Sequence, residues 1–287
     1  MSLQVAEHYG CPIVNCDSRQ VYRHIPIGTA APTEQEQARV KHYFVATREL
    51  EEEYNAGQYE RDALALLDKL FDKYEVVVMT GGSMLYADAV CNGLDDLPNV
   101  PHDIRQKVQR NYEQNGLEWL QSEVQRLDPD YWSEVDQSNP ARLAHCVELC
   151  LTTGKPYSSL RTKTNKERSF RIIKVGLDRP RAELYARIND RVNKMVANGL
   201  VEEAKAVYPK RQLNSLQTVG YRELFAYFDG EYDLNRAIEL IQQNTRHYAK
   251  RQLTWFRHDN EIHWLNAKET NEKNIAFIDA LLRADSL

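Results

Sequence analysis

The sequence predicts an α/β fold, a parallel sheet covered on both faces with an all-helical insertion. Three observations carry this prediction. The apolar runs CPIVNC (11–16), VVVMT (76–80), RIIKVGL (171–177) and IHWL (262–265) are nearly continuous, whereas half-exposed antiparallel strands would alternate. Between them lie helical patterns: Leu64, Leu67, Leu70 and Phe71 within Arg61–Phe71, then Tyr185, Ile188, Val192 and Met195. From Pro101 to about Leu160 no strand pattern occurs.

In chain order, CPIVNC delivers Asp17-Ser18-Arg19-Gln20 just past its end. Open α/β sheets bind ligands outside the carboxyl ends of their strands, so Asp17 is placed as a general base or metal-shell acid. An Asx-turn or helix cap explains the same residue equally well. VVVMT runs into Gly81-Gly82-Ser83. Two glycines let backbone approach a ligand closely, and Ser83 would open a helix whose N-terminus favours anions. A tight turn with an ordinary serine cap is the alternative.

LDDLPNVP (94–101) serves as the entry linker of the insertion. RQKVQRNYEQNGLEWLQSEVQRL then forms a helix broken at Gly116. Asn139-Pro140 opens ARLAHCVELCLTTG, which Gly154 and Pro156 close. Ser158 to Ser169 forms a basic exit. The expected division is a core of residues 1–100 and 170–287 and a helical insertion of residues 101–169.

Farther on, RPRAELYARINDRVNKM puts Arg187 and Arg191 four apart on one helix face. Paired guanidiniums suit a diphosphate, although salt bridges to Glu183 and Asp190 would explain them too. LQTVGYREL supplies Gln217, Thr218, Gly220, Tyr221 and Arg222. TRHYAKRQLTWFR interleaves Arg246, Lys250, Arg251 and Arg257 with Tyr248, Trp255 and Phe256, a pattern for gripping phosphates while packing an apolar face.

Composition narrows the class. The chain has 287 residues, 42% apolar and 28% charged, in the range of globular proteins. No run of about 18 apolar residues is present, so no membrane span is expected. The start lacks a basic stretch followed by an apolar one, so no secretory leader is expected. Cysteines at 11, 16, 91, 146 and 150 are odd in number and scattered, which points to the reducing cytoplasm rather than a disulfide framework. Cys146 and Cys150, at helical spacing, are expected to pack, a metal pair being the lesser reading. The net charge of −5 argues against nucleic acid, but charge is segregated. Lys155–Arg181 holds nine Lys and Arg, Lys163 among them, against Glu167 and Asp178. Arg246–Arg257 holds four and no acid. Such basic runs with aromatics suit a phosphate backbone.

The order NCDSRQVYRHIPIGTAAPT, AGQYERDALALL, VVVMTGGSMLY, GLDDLP, NPARLAHCVE, TGKPYS, YARINDRVNKM, TVGYREL, AKRQLTWFR resembles the bacterial tRNA dimethylallyltransferases, or tRNA isopentenyltransferases, from about Gln4 to Leu265. The resemblance implies a P-loop-NTPase-like core and transfer of a dimethylallyl group from dimethylallyl diphosphate to N6 of adenine 37 in the tRNA anticodon loop. It also implies Mg²⁺ and a cytoplasmic enzyme, for which a monomer is expected.

By the same resemblance Asp17, the general base, and Ser83, which stands where the family usually has threonine and keeps the hydroxyl, are the catalytic residues. The tRNA contacts would come from Asp17, Ser18, Arg19, Gln20, Ser83 and Arg105, and from the segment Ala141, Arg142, Leu143, Ala144 and His145. That segment is commonly Gln-Arg-x-x-Arg, so only Arg142 keeps its type. Later contacts would come from Gln217, Thr218, Val219, Gly220, Tyr221 and Arg222. The last group is Lys250, Arg251, Gln252, Leu253, Thr254, Trp255, Phe256 and Arg257. Arg187 and Arg191 resemble the diphosphate-side arginines.

The family opens with a strand and a G-x-x-x-x-G-K-[ST] loop, which this chain lacks. No metal-binding Ser or Thr of that loop can therefore be identified. MSLQVAEHYG reads as the second half of the helix that would follow, and a truncated product is expected. The competing expectations are a catalytically impaired tRNA-binding fragment, and an isopentenyltransferase or kinase acting on a free nucleotide.

Overall fold

The computed structural model describes residues 1–162 and 165–284; Lys163 of the basic run lies outside them. The chain forms two compact units, Met1–Cys91 with Arg168–Leu287, and Asn92–Glu167.

In the first unit α1 (Ser2–Tyr9) ends at Gly10, whose left-handed backbone (φ 60) closes the helix. The strand β1 (Ile13–Asn15) follows, buried throughout. Next come α2 (Glu34–Arg39) and the two-residue strand β2 (His42–Tyr43). The helix α3 (Ala56–Phe71) begins five residues before the periodicity suggests. Asn55 and Gln58 form a reciprocal capping box there, satisfying donors that would otherwise be orphaned at the helix start. The strand β3 (Val78–Thr80) leads into α4 (Met84–Cys91).

The parallel order is β2-β1-β3, with Ile13 opposite both His42 and Val78. This register sets the carboxyl ends of β1 and β3 side by side, where Asp17 and Gly81–Ser83 begin. The parallel strands fall into two sheets instead of one, because a later pair stands apart from these three.

The helical unit contains α5 (His102–Leu127), α6 (Pro129–Glu134) and α7 (Pro140–Thr153). Gly116 (φ 70, ψ −166) kinks α5 at the expected break. Leu120, Val124, Leu143, Cys146 and Val147 form its buried core. The unit starts at Asn92, earlier than the sequence suggests, because its entry is stapled to its exit. Lys166 N donates to Asn92 O (2.8 Å), Lys166 Nζ to Asp96 (2.8 Å), and Thr162 Oγ1 to Asp95 (2.6 Å).

Back in the first unit, β4 (Val175–Asp178) is followed by α8 (Arg181–Ala197), α9 (Leu200–Val207), α10 (Tyr221–Phe228) and α11 (Leu234–Phe256). The strand β5 (His263–Asn266) and α12 (Asn271–Ala284) complete the chain. β4 and β5 pair in parallel, Val175 opposite His263. Contrary to the sequence reading, β4 is not covered on both faces, and Val175 and Leu177 are exposed. An extensive core lies under residues 21–50, where Val21, Ile25 and Leu50 pack on Val192, Leu200, Leu216, Tyr221, Leu224 and Ile241. Burying one such aliphatic side chain fully is worth about 1.5–3 kcal/mol. This core gives the loop after β1 a rigid floor.

Arg168, its side chain nearly buried at the point where the chain re-enters the first unit, binds the end of α4. Its guanidinium donates to Val90 O, Ala89 O and Glu60, each at 2.8 Å.

Candidate functional site: an acid turn above a parallel sheet

Beyond β1 the chain turns at Asp17. One carboxylate oxygen, Oδ1, accepts from Arg19 N (2.8 Å) and Gln20 N (3.2 Å), an Asx-turn. The two sequence readings are therefore not exclusive. The turn consumes Oδ1, while Oδ2 has no hydrogen-bond donor among the described residues. Burial, with the Asp17 charge second, pushes the neighbouring Cys16 thiol up to about 12. That thiol is consequently neutral and no nucleophile at pH 7.

Ser83 is almost fully buried. Its hydroxyl accepts from Ser18 N (2.8 Å) and donates to Ser18 Oγ (3.0 Å), locking the second strand end onto the acid turn. The two glycines before it make room for protein, not for a ligand as their sequence suggests. A methyl on Gly81 would stand 2.6 Å from the Cys16 carbonyl carbon, and one on Gly82 would strike the Gln252 amide. Gln252 in turn donates to Gly82 O (2.6 Å), as does the Tyr248 hydroxyl (3.3 Å). Burial and then the Asp17 charge push the Tyr248 phenol above its ordinary value, with Ser83 opposing. α11 therefore reaches the site through Tyr248 and Gln252.

Arg19 donates to Asn214 O (2.8 Å), bringing the segment before Gln217 to the turn. Gln20 donates to Thr29 O (3.0 Å) and Ala30 O (3.1 Å). The salt-bridge explanation for the α8 arginines fails. Glu183 pairs with Arg179 and Lys268, and Asp190 with Lys194, so Arg187 and Arg191 have no ion-pair partner among the described residues. Much of Arg191 remains open to solvent. Loss of surrounding water lowers its pKa while the Asp17 carboxylate raises it, which puts the two charges within each other's field.

The late segments divide by orientation. Arg222, Lys250, Arg251, Thr254, Trp255 and Arg257 are exposed, and Arg257 pairs with Asp178 at 3.0 Å. Gly220 and Tyr221 are buried, the Tyr221 ring in the core. Val219, Leu253 and Phe256 are half-buried, Thr218 accepts the α10 amide of Arg222 (3.3 Å), and Gln217 turns back to Arg211 O (2.6 Å). These inward residues shape the segment, and the exposed cations face solvent. The sequence pattern does not separate the two groups.

Arg105 and Ala141–His145 belong to the helical unit. Ala141 and Arg142 are exposed at the start of α7, whereas Leu143 is in the core and Ala144 is half-buried. His145 is exposed and stacks edge-on against Tyr157 (5.7 Å); partial loss of surrounding water, then the Arg105 charge, holds its pKa below the usual range. Cys146 and Cys150 pack in the same core with sulfurs 4.0 Å apart and Asp128 close by. The Asp128 carboxylate already accepts from Tyr131 N, Ser158 N and Ser158 Oγ.

Mg²⁺ requires hard oxygen ligands. Among the described residues the sole cluster of three or more metal-type side chains is this thiol pair with Asp128, which does not fit the ion. The acid turn offers one carboxylate and two hydroxyls.

Residues 20–259 match the family model described as IPP transferase, and the chain belongs to that family. It is 53% identical over 272 residues to tRNA dimethylallyltransferase 1 of Phocaeicola vulgatus, covering 95% of this chain and 91% of that protein. With the tRNA dimethylallyltransferase of Flavobacterium psychrophilum it shares 43% identity over 289 residues, 99% of this chain and 94% of that one. The crystal structure of the tRNA isopentenylpyrophosphate transferase from Bacillus halodurans superposes with a TM-score of 0.71 at 30% identity, covering 99% of this chain and 90% of that one. A eukaryotic dimethylallyltransferase acting on tRNA has a TM-score of 0.83 at 22% identity, covering 99% and 76%. At that identity it shows the shared fold alone.

Proposed function

We propose that this chain is a tRNA prenyltransferase. It transfers a dimethylallyl group from dimethylallyl diphosphate to N6 of adenine 37 in the tRNA anticodon loop, with Asp17 as general base. The adenine amine is a poor nucleophile because its lone pair is delocalised into the ring. As N6 attacks the allylic carbon, the C–O bond to the diphosphate breaks and the amine proton passes to Asp17 Oδ2. Proton acceptance of this kind contributes roughly 10²–10⁴-fold. Arg187 and Arg191 stabilise the charge gathering on the leaving diphosphate. Mg²⁺ would travel with that diphosphate, since the described side chains build no cage for it.

The exposed Arg222, Lys250, Arg251 and Arg257 grip the RNA backbone, and Arg105 with Arg142 adds a contact from the helical unit. A base in a single-stranded loop can be splayed out at a cost of a few kcal/mol. No helix of the described residues is long and apolar enough to cross a membrane. A cytoplasmic monomer suits the reading.

The observation that carries the reading is the division of labour at Asp17, one oxygen locked by two amides and the other without a hydrogen-bond donor among the described residues. In a transfer assay with dimethylallyl diphosphate, unmodified tRNA and nucleoside mass analysis, Asp17→Asn is expected to lose at least 10²-fold in turnover. Its tRNA affinity should stay within a few-fold. Undiminished turnover removes Asp17 from the mechanism, and turnover of AMP in preference to tRNA would favour a free-nucleotide enzyme.

A further inference from the structure

Resting on the reading of the Asp17–Gln20 turn as the site, we propose that Glu203 is its positioning residue, fixing the turn from α9 through the loop 25–31 and Gln20. The path is continuous. Glu203 Oε2 accepts from Ile27 N (2.9 Å) and Oε1 from Gly28 N (2.8 Å), so one carboxylate grips two successive amides. The hydroxyl of fully buried Tyr221 donates to the same Oε1 (2.6 Å) and lies 3.3 Å from Ile25 O. One and two residues past Gly28, the Thr29 and Ala30 carbonyls receive the Gln20 amide at 3.0 and 3.1 Å. Gln20 N closes the chain on Asp17 Oδ1 (3.2 Å).

The loop needs such a clamp. His24 (φ 69) and Ala30 (φ 52) hold left-handed backbone without being glycine, a conformation that persists only where surroundings over-determine it. Internal bonds, Thr29 Oγ1 to Ile25 O (2.7 Å) and Ala31 N to Pro26 O (2.9 Å), define its shape but not its place. The core under Ile25 supports it from below, and its polar anchor is Glu203, an anion seated on consecutive N–H groups, where charge-assisted hydrogen bonds are roughly twice as strong as neutral ones. No Lys or Arg pairs with Glu203 among the described residues, so its charge is spent on these donors. Gly28 is required at the contact, since a methyl there would come within 2.5 Å of the Tyr221 hydroxyl oxygen.

The test is amide hydrogen exchange on the full chain for wild type, Glu203→Gln, Gln20→Ala and the double variant, with the milder Tyr221→Phe alongside. Glu203→Gln is expected to speed exchange at Ile27 and Gly28 by at least about tenfold, and at Arg19 and Gln20 by at least about threefold. α3 and α12 should be unchanged. In the Gln20→Ala background the Glu203 effect should persist at Ile27 and Gly28 and vanish at Arg19 and Gln20, the non-additivity of residues acting in series. Faster exchange confined to the loop, or an Arg19–Gln20 effect surviving without Gln20, overturns the proposal. So does faster exchange throughout the unit in both Glu203→Gln and Tyr221→Phe. Exchange needs no turnover, so failure of Asp17 as base, read from Asp17→Asn, is scored separately.

Discussion

Arg168 offers the sharpest quantitative test of how the core is held together. Its guanidinium and the Glu60 side chain are 8% and 10% exposed and 2.8 Å apart, so solvent screens the pair little. The same guanidinium satisfies two carbonyls at the end of α4, Val90 O and Ala89 O, both at 2.8 Å. Hydrogen bonds involving a charged group contribute about 1.5–3 kcal/mol each. Three from one side chain do not add fully, because removing Arg168 also recovers its own desolvation cost. Breaking a buried pair by deleting one partner costs about 3–5 kcal/mol, and Arg168→Ala is expected in that range. With a urea m-value of about 2–3 kcal/mol/M, the midpoint should fall by about 1–2.5 M. Arg168→Met retains most of the apolar stem and should recover only the packing share, under about 1.5 kcal/mol. Urea unfolding followed by tryptophan fluorescence and circular dichroism gives both values. A loss below about 1 kcal/mol for Arg168→Ala, or full recovery by methionine, would falsify the reasoning.

Two further outcomes follow from the site. Gly81→Ala places a methyl 2.6 Å from the Cys16 carbonyl carbon at the end of β1, and backbone cannot yield as a flexible side chain does. Stability should drop by about 1–3 kcal/mol in urea, and turnover should fall with it; an unchanged midpoint would mean the two strand ends are less tightly apposed. The ammonium of exposed Lys250 has no hydrogen-bond or ion-pair partner among the described residues, whereas Arg257 is tied to Asp178. Lys250→Ala should reduce the log–log salt slope of tRNA binding by about 0.7–0.9, with a smaller change for Arg257→Ala, and equal slopes in all three proteins would place Lys250 off the RNA.

Much of the fold was legible because buried parallel strands write themselves as apolar runs. The bundle was legible from Gly116, Asn139-Pro140 and Gly154, whose backbone demands are local. Strand β2 was not, since His42–Tyr43 is two half-buried residues paired only by tertiary context. The start of α3 was within reach, as Asn55-x-x-Gln58 is a capping signature that the periodicity at Arg61 overshadowed. At the site, Asp17 and Ser83 stand out because strand ends advertise them. Glu203 does not, for Val201-Glu202-Glu203-Ala204 looks like any solvated helix face until the loop at 25–31 is laid over it. Tyr248 and Gln252 share α11 with the basic residues, and only the contact with Gly82 shows which of its faces meets the sheet.

The hydrogen bond from Lys166 N to Asn92 O has a consequence for how the gene can be cut. Where the chain leaves one body and returns to it, the two crossings run side by side, so a short splice of a few residues between Cys91 and Arg168 would bridge the cut without stretching either end. The helical piece is therefore a cassette, removable or exchangeable with a relative's as one stretch of coding sequence. Chimaeras made at that joint would test whether the helical piece sets RNA choice independently of bond-making chemistry.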